Sequence, residues 1–381
     1  MRKRLFSADK RPWYRQFVKL VVIVCNLIVA LGMLLGGLTL WIGPEVLSYM
    51  SCFGLVFPIF VMCNALFVVF WLFMRDVWCI FSLSLFLILW VPVKHTFCFN
   101  LSEKSPTDSD CISLLSYNTM TFGRFAPHKK GHPNAILAYI AEKDPDIVCI
   151  QEFGVAKSGD NLRMSDVKSV LSAYPYSHIE YTTDTKRKSV GIATFSKYPI
   201  VQKENLGIDS RFNVAIFSDV VLGDDTVRVY NCHLESNKLT EDEIQKQSDL
   251  IQDFDTHRAS VFAGSIVRKL SAAYRLRATQ SRQVAESVSG SPYPVLLCGD
   301  FNDVPTSYSY NTIKTSRKLT DSFVAGGNGF GFTFQRNPIN VRIDYIMHDD
   351  YFCTLDCKVG KEKNSDHYPV YSRLYRKPNY N

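Results

Sequence analysis

The sequence predicts an α/β sandwich preceded by a helical membrane anchor. After residue 110, short apolar segments of strand length alternate with amphipathic segments, which indicates many strands with interspersed helices. Before residue 97 the chain contains long, almost uncharged apolar runs instead. A doubly wound nucleotide-binding sheet is disfavoured, because no glycine-rich phosphate loop follows the first strand.

Three apolar runs, residues 17–42, 53–74 and 77–93, predict transmembrane helices. A helix needs roughly 20 apolar residues to span a bilayer, and the third run is near the lower limit. A cleaved signal peptide is the alternative for the first run, since a basic segment precedes it. Two further runs and the lack of a clear small-residue cleavage site favour an anchor. Residues 1–96 are therefore expected to form a basic cytoplasmic tail and three transmembrane helices.

The flanking charges predict the orientation of the anchor. Residues 1–20 contain seven Lys and Arg residues and one acidic residue, whereas the loop 43–51 contains only Glu45. By the positive-inside tendency the N-terminus is cytoplasmic, so three spans place the rest of the chain, after residue 96, outside the cytoplasm. Lys94 and His95 oppose this orientation mildly, and a re-entrant third segment would place the rest of the chain in the cytoplasm instead.

The net charge of +7 is concentrated in the anchor. Residues 1–96 contain nine basic and three acidic residues, which leaves 34 basic and 33 acidic residues for 97–381. A sequence-independent nucleic-acid binder usually shows a marked positive excess in the domain that holds the phosphates. The near-neutral second part weakens that function and leaves only a local basic patch open.

Two segments connect or cover the catalytic part. Residues 97–110 are expected to form a linker, of which 101–110 is polar and has no apolar period. Residues 241–289 have helical composition and several Lys and Arg side chains. They predict either an ordinary outer helix pair with solvated charges or a cap that lies over the pocket or along an anionic membrane surface.

The 11 cysteines do not indicate a disulfide framework. Five lie in or beside the apolar runs, and three lie inside apolar strands as small buried residues. A bridge between Cys353 and Cys357 remains open if the compartment is oxidising.

Polar residues of catalytic type follow several predicted strands. Asp300 and Asn302 come directly after the buried strand 295–298, and one residue separates them. On an extended chain they leave the strand end on the same side, so a carboxylate and an amide can point at one place. An Asp/Asn-rich turn is the alternative for this pair alone. The other strand ends provide Asn118, Glu152, His233, Asp344, Asp366 and His367.

Together these segments resemble the endonuclease/exonuclease/phosphatase superfamily over roughly residues 111–373. The superfamily consists of metal-dependent phosphoesterases and includes pancreatic-type deoxyribonuclease, abasic-site endonucleases, inositol polyphosphate 5-phosphatases and neutral sphingomyelinases. The matching segments follow the family's order along the chain, and they end in Asn118 (Leu-Ser-Tyr-Asn), Glu152 (Ile-Val-Cys-Ile-Gln-Glu), His233 (Val-Tyr-Asn-Cys-His), Asn302 (Gly-Asp-Phe-Asn), Ile346 (Arg-Ile-Asp-Tyr-Ile) and Pro369 (Ser-Asp-His-Tyr-Pro). The resemblance implies two packed sheets flanked by helices in a catalytic domain at 111–381, here in a membrane-anchored bacterial type.

Glu152 is the best candidate for a metal ligand. It follows a buried strand, where an unpaired carboxylate is costly and requires a cation. Hard ions such as Mg²⁺, or Mn²⁺ in its place, take oxygen ligands. The resemblance implies Asn118 as a second ligand, and Asp366 is a further contributor from across the site. No Cys/His pairing at zinc spacing occurs in the sequence, which disfavours zinc.

The remaining candidates are assigned to the hydrolysis of a phosphate ester. Asp300 would orient or deprotonate the attacking water, and Asn302 would hold this water or a phosphoryl oxygen. The resemblance implies that Asp344 fixes His367, which donates to a phosphoryl oxygen or acts in acid–base exchange. It also implies that His233 binds the phosphate from the other side.

The sequence thus predicts a membrane-tethered, Mg²⁺-dependent hydrolase of phosphodiester or phosphomonoester bonds. Three alternatives remain for its substrate and role: a lipid-bearing phosphodiester or pyrophosphate, nucleic acid outside the cytoplasm, and a non-catalytic membrane receptor that retains the fold. The complete set of polar strand-end residues argues against the receptor, because a binding module does not need all of them.

Overall fold

The computed structural model describes residues 13–101, 111–129, 131–210, 213–237, 256–336 and 339–377. Within these ranges the chain forms a group of N-terminal apolar helices followed by a two-layer sandwich.

The apolar helices begin with α1 (Trp13–Leu38), which a turn, the short helix α2 (Pro44–Leu47) and a 3₁₀ turn connect to α3 (Ser51–Phe73). Trp13–Leu38 and Pro44–Phe73 are each long and apolar enough to cross a membrane. Leu20, Ile28 and Leu66 are exposed on their outer faces, as lipid-facing residues are. The first two predicted runs are therefore helical and have the length of membrane spans.

The third predicted run is not one straight helix. It consists of α4 (Trp78–Ile88) and α5 (Trp90–Thr96), which are bent by 76° with respect to each other. Pro92 explains the break, because proline has no N–H to donate to the carbonyl of Ile88 and its ring crowds that carbonyl. The bent pair counts as a third candidate span only if it crosses the membrane as one unit.

The sandwich contains two six-stranded sheets, which confirms the predicted α/β fold. The first sheet has the order β13-β14-β1-β2-β4-β3 and the second the order β5-β6-β7-β8-β12-β9. A small hairpin, β10–β11, lies beside them. The strands are β1 Cys111–Asn118, β2 Ile147–Ala156, β3 Tyr176–Asp184, β4 Lys188–Ser196, β5 Ile200–Asn205, β6 Val214–Leu222, β7 Asp225–His233, β8 Val295–Asp300, β9 Thr320–Asp321, β10 Phe334–Arg336, β11 Ile339–Val341, β12 Asp344–His348, β13 Phe352–Val359 and β14 Val370–Arg376.

Helices flank both sheets. The first sheet is covered by α6 (Met120–Phe125), α7 (Ala135–Lys143) and α8 (Met164–Val170), and the second by α9 (Thr256–Ser289) and α10 (Tyr308–Ser316). The short helix α11 (Ser322–Gly326) lies at the edge between the sheets, where it contacts β13 and β12. A core cluster between the sheets joins Leu114 and Cys149 of the first to Val229, Cys298 and Ile346 of the second. Each sheet is thus buried on both faces, as the continuous apolar run of β8 indicates.

Two connecting segments lie partly within the described ranges. Of the segment 241–289, Thr256–Ser289 forms one 34-residue helix, and residues 241–255 lie outside the described ranges, so the helix pair stays a prediction. The start of the expected linker is part of the fold: Cys98 and Gly329 exchange two backbone hydrogen bonds, and Asn100 Nδ2 donates to Gly327 O at 2.6 Å. Residues 102–110 of that linker also lie outside the described ranges. All 11 cysteines are within them and are free, so Cys353 and Cys357 are not bridged.

Candidate active site

The predicted catalytic residues meet at one edge of the sandwich, where two parallel strand pairs end. β1 pairs with β2 in the first sheet, and β7 with β8 in the second. Asn118 is the last residue of β1, and Glu152 follows Gln151 in β2, where the backbone turns to a φ of 48°. His233 and Asp300 are the last residues of β7 and β8. The carboxyl ends of parallel strands therefore bring four polar side chains from two sheets together.

Asp300 has a central position within this group. In the sheet register it lies opposite His233 on one side and Asp344 on the other. Gly299, just before it, has a φ of 144°, and a Cβ there would lie 1.9 Å from the carbonyl oxygen of Cys232. Only glycine fits this position, because the two strands approach each other too closely for a side chain.

Hydrogen bonds join the two sheets across the site. Asn118 Nδ2 donates to Asp300 Oδ2 at 2.9 Å and to Glu152 Oε1 at 3.3 Å. The other oxygen of Asp300 accepts from the backbone N–H of Asn302 at 2.8 Å. Asn302 Nδ2 donates to Leu234 O at 3.0 Å, so this side chain ties the end of β8 to the segment after β7.

Two histidines flank the carboxylate of Asp300. His367 Nε2 lies 3.6 Å and His233 Nε2 3.8 Å from Asp300 Oδ2. His367 Nδ1 lies 2.9 Å from Asp344 Oδ2, which orients the ring as predicted. All four groups are buried, so water screens their charges only weakly.

Burial and neighbouring charges change the ionisation of this group. Burial alone would lower the pKa of His367, but the carboxylates of Asp344 and Asp300 raise it to about 10. Burial raises the pKa of Asp300 above its ordinary value, and the negative charge of Asp344 adds to this shift. His367 thus carries a proton at neutral pH, while Asp300 is a stronger base than an exposed aspartate.

The carboxylates around Asp300 offer oxygen donors to a divalent cation. One carboxylate oxygen each of Asp300 and Asp344 lies within 4.8 Å of the other and of a ring nitrogen of His367, which in its protonated form is not itself a ligand. Asp344 Oδ1 is buried and has no hydrogen-bond partner among the described residues. Glu152 is only half-buried, so one of its oxygens is available to an ion entering from the cleft. A cluster of carboxylates with unused oxygen acceptors requires positive charge, and oxygen donors select ions such as Mg²⁺.

Two predicted ligands are placed differently from the rest. Asn118 Oδ1 accepts from the backbone N–H of Met120 at 3.1 Å, so in this conformation the amide orients the carboxylates of Glu152 and Asp300. Asp366 lines a pocket with Lys363, Ser365 and Tyr368, next to His367 in the sequence. A metal role for Asn118 or Asp366 stays a prediction.

Several positioning residues were not among the predicted site residues. Gln151 Nε2 donates to Asn231 Oδ1 at 2.7 Å, which makes a buried amide bridge between the sheets just below the site. Thr333, just before β10, accepts with its Oγ1 from the backbone N–H of Asp344 at 3.1 Å. Ser365, in the segment before β14, donates with its Oγ to Asn118 O at 2.8 Å. The buried amides of Gln151 and Asn231 on strands that border the site were an available clue, whereas Thr333 and Ser365 lie outside the strands.

Comparison with known proteins assigns the sandwich to the family that its sequence motifs resemble. The model of the Endonuclease/Exonuclease/phosphatase family matches residues 115–367, and the model of a domain of unknown function, DUF8431, matches residues 18–96. The chain is 26% identical over 261 residues to the CCR4-Not complex 3'-5'-exoribonuclease subunit Ccr4 of Emericella nidulans, covering 56% of this chain and 38% of that protein. It is 22% identical over 261 residues to the "Putative neutral sphingomyelinase" of Drosophila melanogaster, covering 62% and 51%. The match thus spans about half or less of these relatives.

Solved structures share the fold. An endonuclease/exonuclease/phosphatase from Beutenbergia cavernae superposes with a TM-score of 0.50 at 20% identity, covering 70% of this chain and 72% of that one. The human Nocturnin catalytic domain with bound sulfate gives a TM-score of 0.50 at 16% identity, covering 70% and 95%. The family model covers residues 115–367, which is more than half of the chain and most of the sandwich. This chain therefore belongs to the endonuclease/exonuclease/phosphatase family.

Proposed function

We propose that this protein is a membrane-anchored, Mg²⁺-dependent enzyme that hydrolyses a phosphodiester or phosphomonoester bond of a lipid-linked substrate. The main support for hydrolysis is the buried carboxylate of Asp300, which lies between two imidazoles. Asn118 donates hydrogen bonds to this carboxylate and to that of Glu152. The overall reaction adds one water across the P–O bond and releases an alcohol and a phosphate.

Asp300 is the group that takes the proton from the attacking water. Its raised pKa matches this task, because a general base works best when its pKa approaches the working pH. The Asn302 backbone N–H holds one carboxylate oxygen and leaves the other to face the cleft and both histidines.

The two histidines bind the phosphoryl group. His367, held by Asp344 and protonated at neutral pH, presents Nε2–H to a phosphoryl oxygen as negative charge develops there. His233 does the same from the opposite side of Asp300. When bound, Mg²⁺ supplies Lewis-acid charge neutralisation at the phosphate, and Glu152 is the residue that would hold it.

The position of the site supports a substrate that is drawn from the membrane. Thr306, four residues beyond Asn302, accepts a hydrogen bond from Thr39 at the end of α1. Four residues span at most about 14 Å, so the catalytic loop lies close to this end of the membrane helices. Trp41 and Tyr49 are exposed at the same end, as side chains at the headgroup level are. A phosphate in a lipid headgroup is therefore within reach.

Charge supports the proposed topology. The sandwich contacts the end of α1 that is remote from the basic N-terminal tail, and it also contacts the last residues of α5. If the tail is cytoplasmic, an N-terminal α1 that crosses the membrane places the sandwich outside the cytoplasm. Protease added to intact cells or spheroplasts should then cut the sandwich, and its full protection would contradict this orientation.

Nucleic acid is the second candidate substrate, because the curated relative from Emericella nidulans is an exoribonuclease. The near-neutral charge of residues 97–381 does not favour it. A non-catalytic receptor is disfavoured, because the buried Asp300, Asp344 and His367 group is complete.

The test is a substrate panel with the full-length protein in lipid nanodiscs. Sphingomyelin-like lipids, prenyl pyrophosphates, soluble inositol phosphates and single-stranded RNA are each incubated with Mg²⁺, with Mn²⁺ and with EDTA, and the released product is quantified. We expect metal-dependent hydrolysis of a lipid substrate that Asp300→Asn abolishes. Faster hydrolysis of RNA than of every lipid would replace the proposed substrate class, and activity that EDTA leaves unchanged would exclude the metal.

A further inference from the structure

The outer end of the membrane hairpin, residues 39–54 between α1 and the first turn of α3, is built into the catalytic sandwich. Thr39 Oγ1 donates to Thr306 O at 2.5 Å, and Thr306 Oγ1 donates in return to Gly54 O at 2.9 Å. Asn311 Nδ2 donates to Leu40 O at 3.0 Å. Thr39 and Thr306 are buried. These bonds connect the end of α1 and the start of α3 to the chain just after the catalytic Asp300–Asn302 segment.

Apolar packing reinforces this connection. Leu40 is 1% exposed and belongs to the same core cluster as Phe301 and Tyr310. Phe301 lies between Asp300 and Asn302 in the sequence, and its side chain points into the core while theirs line the site. A residue of the membrane hairpin therefore completes the hydrophobic packing behind the catalytic segment.

Helix α9 makes a second connection between the hairpin and the site. On one face, Arg275 donates to Ser48 Oγ at 3.0 Å, and Arg282 pairs with Glu45 at 2.6 Å. Towards the sandwich, the fully buried Arg277 lies 3.3 Å from Asp303 Oδ2 and donates to Glu235 O at 2.8 Å. Asp303 and Glu235 follow the catalytic ends of β8 and β7. The same helix thus holds the hairpin and both catalytic segments.

A flexible tether would not produce this arrangement. A tether needs only a polar segment of sufficient length. Here hydroxyl, amide and leucine side chains instead make specific hydrogen bonds and packing contacts with the sandwich. Catalysis depends on small displacements of reacting groups, so a rigid support beneath Asp300 has a direct effect on turnover.

We infer that the outer end of the membrane hairpin is a positioning element of the active site, and that Thr39 and Thr306 are positioning residues for the Asp300–Asn302 segment. This inference rests on the proposed role of Asp300 as the base. It assigns a function to the segment that matches a domain of unknown function: this segment holds the catalytic loop in its active geometry, besides anchoring it.

The test compares full-length variants in nanodiscs. Thr39→Val removes the hydroxyl at nearly constant volume, Thr39→Ser retains it, and Thr306→Val removes the separate bond from Thr306 Oγ1 to Gly54 O. Thr96→Val is the matched control, because Thr96 is also a buried anchor threonine but donates only within its own helix, to Pro92 O, whereas the Thr39 hydroxyl is shared between Gly36 O at 2.6 Å and Thr306 O. For each variant kcat, KM and the melting temperature are measured, and Asp300→Asn is assayed in parallel.

We expect Thr39→Val and Thr306→Val each to lower kcat about three- to tenfold with KM little changed, since the geometry of the reacting groups is disturbed and the binding surface is not. Thr39→Ser should restore kcat, and Thr96→Val should leave it unchanged. If either valine variant folds and keeps its kcat, or if Thr96→Val loses as much, the hairpin only anchors the enzyme and the inference is wrong. If Asp300→Asn also keeps its kcat, the proposed function itself fails.

Discussion

The protein contains two buried polar clusters that differ in charge. In the apolar N-terminal helices that are proposed to cross the membrane, Asn26 Oδ1 accepts from Trp71 Nε1 at 3.0 Å and from Ser82 Oγ at 3.1 Å, and Asn64 Nδ2 donates to Ser82 O at 2.9 Å. In the sandwich, the ionisable groups of Asp300, Asp344 and His367 meet instead. We refer to them as the membrane cluster and the catalytic cluster.

The difference separates a structural role from a chemical one. Neutral amides and hydroxyls bond helices together at little cost, because none of them carries a charge that must be desolvated. Two carboxylates that face each other with one imidazole between them are costly to bury and do not improve stability. Loss of the membrane cluster should therefore reduce stability, and loss of the catalytic cluster should reduce activity.

The strongest test of this contrast is Asp300→Asn. We expect turnover to fall by roughly 100- to 10,000-fold, since the general base is removed. The melting temperature should stay the same or rise, because the substitution removes a buried negative charge that faces Asp344. Initial rates and thermal unfolding of the same preparation measure both effects. A variant that retains activity within about threefold would remove Asp300 from the mechanism.

Asp321 tests whether a buried charge stabilises the fold when it is fully paired. Its carboxylate accepts from Arg342 Nη1 at 2.7 Å and from the Tyr310 hydroxyl at 2.8 Å. Asp321→Asn should destabilise the fold by about 3–5 kcal/mol, because it leaves the guanidinium of Arg342 buried without its partner. Denaturant unfolding in detergent measures this. Unchanged stability would show that Arg342 finds another partner.

The same pair gives a pH dependence with a defined sign. Burial alone would raise the pKa of Asp321, but Arg342 and the hydrogen bonds lower it. The pair therefore contributes its full stability above the unfolded pKa of about 3.9, and the contribution is lost as the pH falls through the lower folded value. Asp321→Asn should flatten this part of the acid-unfolding curve.

Glu152 tests the metal site. Glu152→Gln should raise the Mg²⁺ concentration for half-maximal activity by about tenfold or more, because a neutral amide holds a divalent cation less tightly than a carboxylate. Asp350→Asn is the matched control, since the exposed Asp350 pairs with Lys377 beyond the end of β12 opposite to Asp344 and should leave the Mg²⁺ titration unchanged. Identical titration curves for Glu152→Gln and the unmodified protein would exclude Glu152 as a ligand.

The smallest effect is expected in the membrane cluster. Asn26→Leu should weaken the packing of the apolar helices by about 0.6–2 kcal/mol, which is the usual range for a hydrogen bond between membrane helices. The melting temperature should fall while kcat of the folded enzyme stays constant. Leu27→Ala, at a neighbouring exposed position, serves as the control. A loss of kcat without a loss of stability would contradict the structural role of the membrane cluster.

Much of the site is predictable because strand ends have a strong local signal. Asp300, His233 and Asp344 each terminate or begin an apolar strand, and the order of these segments in the chain predicts how the sheets bring them together. The first two apolar runs are predictable for a similar reason, because the length and the hydropathy of a segment are local properties of the sequence. The bend of the third run also has a local cause in Pro92, which the sequence prediction did not use.

The remaining features depend on tertiary contacts. The direction of the Asn118 amide depends on the Met120 N–H and the two carboxylates around it, which no local pattern shows. Asp366 lies in the irregular segment before β14, so the direction of its side chain depends on the surrounding packing and not on a strand register. Thr39 and Thr306, which contact each other, are more than 260 residues apart in the chain and are of a common residue type. Such contacts become visible only when the packing is known.

The missing side chain at Gly299 also limits how this enzyme can be altered. β7 and β8 run side by side here with backbone against backbone, and any larger residue would force them apart by the size of its first carbon. The imidazole of His233 and the carboxylate of Asp300 would move with their strands, and the gap between them would widen. Glycine at position 299 therefore keeps these two catalytic side chains at their present separation.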